Sequence, residues 1–296
     1  MHETEARRSW IVVSLVGLLV CLPAFSQTVT PPTLSGPAAQ TLTTAYWTPG
    51  DLRSYPASWN WQFSAGSQDR TDSKPEGFLL RGLKRGLIDQ KEIYAAPLQR
   101  SNLKWDALFL AGTGALIATD RQASRALPTD HLNASRHISD AGLIGTSAAL
   151  GGIWLSSLGT KDPHARETSL LGAEAFANTA AVYAVTQLLA GRERPFQGTG
   201  NGRFWQNNSL NSSFPSGHAA FTWSMASVIA HEYPRPWVKW LAYGTAAAVS
   251  ATRFTGREHF PSDVVVGSAF GYLIGTHIFH SHCKPGLSAA CHSHNP

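Results

Sequence analysis

From residue 76 to about 280 the chain is a succession of apolar runs at helical spacing, separated by Pro, Gly and Asn clusters. That pattern sets the fold class: an all-α helical bundle of about six core helices, with a length that suits a single core. Candidate helices cover residues 76–87, 103–119, 138–158, 167–191, 218–232, 236–250 and 262–280. Small residues dominate several of them, as in Gly142-Leu-Ile-Gly-Thr-Ser-Ala-Ala-Leu-Gly-Gly152, which lets helix axes approach closely in water or in lipid. The runs over 141–158 and 264–279 approach a membrane-spanning length. They are diluted by Gly, Ser and Thr, Glu174 and Asn178 interrupt the helix leading to Gln187, and mean hydropathy is only −0.13. A soluble or peripherally attached bundle is the expectation, and an integral one the alternative.

The ends of the chain divide it further. Arg7 and Arg8 precede the apolar run from Trp10 to Leu22, and Ala24-Phe25-Ser26 follows as a small-residue cleavage site. Residues 1–26 therefore read as a secretory signal peptide, with a retained membrane anchor as the alternative, and the protein is expected to be exported, periplasmic or membrane-associated. Residues 27–75, rich in Pro, Ser, Thr and Trp, read as an irregular leader. The helical domain spans 76–280 and a His/Cys-containing tail spans 281–296.

Three short segments carry chemistry. In the second, Pro215-Ser216-Gly217-His218 leads into a helical run, and the unpaired N–H groups at a helix start favour an anion. Gly217 allows close backbone approach, the Ser216 hydroxyl adds a donor, and His218 can pass a proton to a leaving oxygen. In the third, His259 precedes Asp263 by four residues, which puts a carboxylate within reach of one ring nitrogen and leaves the other for attack. Arg253 adds a planar guanidinium fork suited to phosphate oxygens. The first, Gln187 to Pro195, contributes Arg194 and Arg192 near a helix C-terminus. Read alone, each segment also has a bland account as a cap, a surface pair or a dipole-matched cation; read together they point to phosphoryl chemistry.

The trio resembles the signature of the type 2 phosphatidic acid phosphatase superfamily, which also contains bacterial class A acid phosphatases and vanadium haloperoxidases. Arg194-Pro195, Pro215 to His218, and Arg253, His259 and Asp263 match that signature in order and spacing. The resemblance implies that His259 is the nucleophile that becomes phosphohistidine, Asp263 its orienting carboxylate and His218 the general acid. It further implies that Arg194, Ser216, Gly217 and Arg253 bind phosphoryl oxygens, and that no metal or other cofactor is needed. Two positions depart from the pattern. Gln187 stands where the family has Lys, keeping a donor but losing a charge, and Thr252 stands where it has Ser, keeping the hydroxyl. Arg192 would restore the charge if it faced the pocket.

A phosphorylated lipid or small phosphoester is the implied substrate. The formal net charge of +5 fits anionic substrates or membrane surfaces. No basic stripe with interleaved aromatics points to nucleic acid. The same residues could hold vanadate in a haloperoxidase, and loss of turnover through Gln187 would leave a membrane-associated protein of the same fold; both stand as alternatives. In the tail, Cys283 and Cys291 are expected to form a disulfide after export, with a mobile tail carrying free thiols, or zinc or copper binding by the His/Cys cluster, as the alternatives. The oligomeric state is not legible from the sequence.

Overall fold

The computed structural model describes residues 78–206 and 210–291; the signal peptide and leader expectations, and the end of the tail, lie outside the described residues. Among these residues there are seven α-helices: α1 (Phe78–Ala95), α2 (Leu103–Ala126), α3 (Leu132–Thr160), α4 (Pro163–Ala190), α5 (Gly217–Glu232), α6 (Pro236–Thr255) and α7 (Pro261–His282). Every candidate helix forms, and most run further than apolar periodicity alone indicates.

Local chemistry sets the helix ends. Pro163, Pro236 and Pro261 each stand in the first turn of their helices, where the missing N–H costs nothing. Asp162 caps α4 by accepting from the His164 N–H at 2.9 Å. At the other end Gly191 takes a left-handed φ of 50°, and its N–H donates to the Gln187 carbonyl. That reversal sends the chain out of α4 into the loop that carries Arg192 and Arg194.

α5 and α7 form the central pair. They run in parallel, with Gly267, Gly271 and Gly275 of α7 lying against the backbone oxygens of Ser216, Ala220 and Ser224 of α5. A Cβ at any of these three positions would collide with a carbonyl, so glycine is what permits the close approach. Around this pair Leu171, Val182, Phe214, Val228, Val266, Phe270, Ile274, Ile278 and Phe279 form the core. α4 and α6 flank it, and α3 packs on α4, α5 and α6. The starts of α5 and α7 and the ends of α4 and α6 meet at one end of the bundle. Two positive helix-dipole ends thus point into the same space.

The first part of the tail is docked. Cys283 and Cys291 form a disulfide with Cα atoms 5.8 Å apart, and Cys291 and Ala290 pack on the core. The pairing removes both thiols as metal ligands. His282 instead bonds Asp89 of α1 at 2.6 Å.

Candidate active site

His259 sits on the turn between α6 and α7 and is 2 % exposed. Its Nδ1 lies 2.7 Å from the Ser213 carbonyl, which can only accept, so Nδ1 carries the proton. The lone pair is therefore on Nε2, and Arg194 Nη1 lies 3.4 Å from that nitrogen. Burial, then the Arg194 and Arg253 guanidiniums, hold the His259 pKa well below its ordinary value, so the ring is neutral at pH 7. A neutral imidazole with one nitrogen pinned and the other aimed at a guanidinium is poised for nucleophilic attack.

Arg194 is fixed by the Glu258 carbonyl at 3.2 Å and the Ser212 carbonyl at 3.5 Å. Arg253, in the last turn of α6, donates to Ser139 Oγ of α3 at 3.2 Å and lies 3.7 Å from Asp140. His218, in the first turn of α5, bonds Asp140 through Nε2 at 2.9 Å. Burial, followed by Arg253, lowers the His218 pKa, while Asp140 opposes the shift.

Asp263 does not bond His259 directly. Its Oδ2 is 3.9 Å from His259 Nδ1, and that oxygen accepts instead from Ser213 Oγ at 2.5 Å and from the Phe260 N–H at 2.8 Å. The reason is local: Asp263 is the third residue of α7, so its side chain turns back to cap the helix start. It holds His259 through Ser213, whose carbonyl fixes the imidazole while its hydroxyl answers the carboxylate. Burial pushes the Asp263 carboxyl up to about 6, against the pull of Arg192, Ser213 and Phe260.

Arg192 does point inward, yet it does not replace the charge lost at position 187. Its Nη1 pairs with Asp263 Oδ1 at 2.5 Å and donates to Ser262 Oγ at 2.7 Å, and its Nη2 pairs with Asp120 of α2 at 2.7 Å. The guanidinium is sandwiched between the rings of Phe204 and Phe260, at 4.7 and 4.5 Å. Two carboxylates neutralise it, and it serves as the tie between α2, the loop and α7.

Ser216 is the N-cap residue of α5, fully buried, and among the described residues its Oγ has no hydrogen-bond partner. Gly217 lies against the Tyr183 ring, where a Cβ would come within 2.9 Å of a ring carbon. The Gln187 amide is fully buried, and Nε2 donates to the Phe214 and Pro215 carbonyls at 3.2 and 3.1 Å. Both its N–H bonds are thereby committed to the loop. Position 187 supports the Phe214–Ser216 turn from beneath.

The fold thus brings His259, His218, Arg194, Arg253, Ser216 and Gly217 to one end of the bundle, with Asp263 behind the nucleophile candidate and Gln187 beneath the loop. Sequence reading missed Ser213, Glu258, Asp120, Arg136 and Asp140. Glu258 adjoins His259 in the chain, so proximity alone could have raised it. Nothing local marks Asp120 or Asp140, which α2 and α3 bring in from far along the chain; Asp120 meets Ser262 across 142 residues.

Comparison with known proteins agrees with this geometry. The PAP2 superfamily profile matches residues 168–285, which span all three motif segments. A lipid A 1-phosphatase from Porphyromonas gingivalis is 33 % identical over 76 residues, or 25 % of this chain and 17 % of the relative. The chain therefore matches about a sixth of that curated relative's length. No solved structure matches. With the motif residues gathered at one end of a helical bundle and the profile covering them, residues 168–285 carry a PAP2 superfamily domain.

Proposed function

We propose that the protein is a phosphatase that hydrolyses a phosphomonoester or lipid (pyro)phosphate through a phosphohistidine intermediate. The observation that carries this reading is His259, buried and neutral, with Nδ1–H held by the Ser213 carbonyl and Nε2 facing Arg194. Nε2 attacks phosphorus in line, the bond to the leaving oxygen breaks, and His218 gives that oxygen its proton. Water then attacks phosphorus, the P–N bond breaks, and inorganic phosphate departs. Arg194, Arg253, Ser216 Oγ and the N–H groups at the start of α5 carry the charge on the equatorial oxygens. As written, the sequence of steps needs no metal.

A lipid substrate is favoured by the name of the P. gingivalis relative and by the surface of α3. Among the described residues α3 and α7 are long and apolar enough to cross a membrane, but α7 is the core helix whereas α3 leaves Ile138, Ile144, Leu155 and Leu158 exposed. We read that face as lying against lipid, with the protein exported and its site outside the cytoplasm. The test is inorganic phosphate release without added metal by wild type and His259→Ala. Phosphatidic acid, an isoprenoid pyrophosphate, lipid A and p-nitrophenyl phosphate would serve as substrates. Wild type is expected to release phosphate from at least one lipid, and the variant to lose about 10³-fold or more. Folded wild type that releases none overturns the reading; bromide oxidation with vanadate and peroxide would then identify a haloperoxidase.

A further inference from the structure

Glu258, directly before the nucleophile candidate, sets its carboxylate among three guanidinium groups. Oε1 pairs with Arg136 Nε of α3 at 2.5 Å, and Oε2 lies 3.5 Å from Arg253 Nη2 and 3.6 Å from Arg194 Nη1. The Glu258, Arg194 and Arg253 side chains are 13, 12 and 8 % exposed, so water screens those two pairs little, whereas Arg136 is 38 % exposed and its pair with Glu258 is partly screened. A phosphoryl group held by Arg194 and Arg253 must share their forks with a fixed negative charge. Arg136 engages the other carboxylate oxygen. Arg136 also lies outside the segment matched by the family profile.

We propose that Glu258 and Arg136 together set the affinity of the site for phosphate. Glu258 is a built-in competitor that weakens the hold on the dianion and hastens its departure, and Arg136 is a positioning residue that restrains it. The proposal rests on the phosphoryl reading of Arg194 and Arg253. Its physical sense lies in turnover: the two arginines and the start of α5 that grip a transition state also grip inorganic phosphate, and product release then limits the rate. A carboxylate on the same forks raises the free energy of the product complex.

The two residues make predictions of opposite sign, which general damage to the pocket does not. Inorganic phosphate would be titrated calorimetrically into wild type, Glu258→Gln and Arg136→Gln at constant ionic strength, with phosphate inhibition of turnover measured alongside. Glu258→Gln is expected to bind phosphate about tenfold more tightly, with a matching fall in its inhibition constant. Arg136→Gln, which releases the carboxylate toward Arg194 and Arg253, is expected to bind several-fold more weakly. Weaker or unchanged binding in Glu258→Gln, beside wild type that binds phosphate, overturns the proposal and leaves the phosphatase reading standing. Tighter binding in Arg136→Gln overturns it equally. Wild type that neither binds phosphate nor releases it from any ester removes the phosphoryl reading itself, and the proposal with it.

Discussion

His259 and His218 are both held below the ordinary histidine pKa, and their proposed roles ask for opposite protonation states. The nucleophile candidate must be neutral, and burial with the Arg194 and Arg253 guanidiniums favours that form. The acid must be protonated, and it loses that form as pH rises through a pKa below 6.5. Activity on an alkyl phosphate is therefore expected to peak on the acid side of 6.5 and to decline above it. The check is kcat/KM against pH, and a plateau extending through about pH 8 would remove His218 as the general acid. At this scale the motif residues themselves were legible, because their identity and spacing are properties of short segments. That Asp263 would not bond His259 directly was not legible. Spacing of four puts the carboxylate within reach of the ring, but Asp263 lies in the first turn of α7 and its carboxylate accepts from the Phe260 N–H instead. Nor could the sequence reveal that the Gln187 amide would be taken by the Phe214 and Pro215 carbonyls.

Helices α5 and α7 work as one element, since the glycines of α7 seat the carbonyls of α5 from Ser216 onward. Gly267 faces Ser216 itself, so a side chain there presses on the turn that offers Ser216 and Gly217 to the site. Gly267→Ala is expected to cost about 1–3 kcal/mol of stability and to lower kcat/KM more than its loss of folded protein explains. Gly145→Ala on α3, where a Cβ meets nothing within 4 Å, is the control and should stabilise by about 0.5–1 kcal/mol. Urea denaturation beside kinetics tests both, and equal behaviour of the two variants would dissolve the coupling between packing and site. Helix existence was readable from periodicity, but several ends were not. α3 begins at Leu132, six residues ahead of the apolar run, because Ser135 bonds Thr255 at 2.9 Å and Arg136 pairs with Glu258. Polar contacts of this kind leave no apolar period to detect.

At the scale of the whole molecule the surface is uneven. The exposed apolar side chains of α3 are joined by Trp237, Trp240 and Leu241 at the start of α6, where Trp240 is 80 % exposed. Arg235 and Lys239 lie beside these tryptophans in sequence, an arrangement suited to the boundary between lipid tails and headgroups. The purified protein is expected to float with phosphatidylglycerol vesicles and to lose most of that binding in an Ile144→Glu, Leu155→Glu double variant. Flotation that ignores both substitutions would detach α3 from the lipid surface.

The sequence by itself determined the helical class and the three motifs that lead to the PAP2 superfamily. It also singled out Arg194, His218, Arg253 and His259, which the fold brings to one end of the bundle, as one candidate group. These follow from local periodicity, end signals and fixed short spacings. Only the tertiary structure decided how charge is balanced around them. Arg192 is neutralised by Asp120 and Asp263, Glu258 is divided among Arg136, Arg194 and Arg253, and Asp140 faces His218. The physical reason is that burial and ion pairing join side chains from different helices. The partner a buried charge finds depends on packing geometry, to which no short stretch of sequence has access.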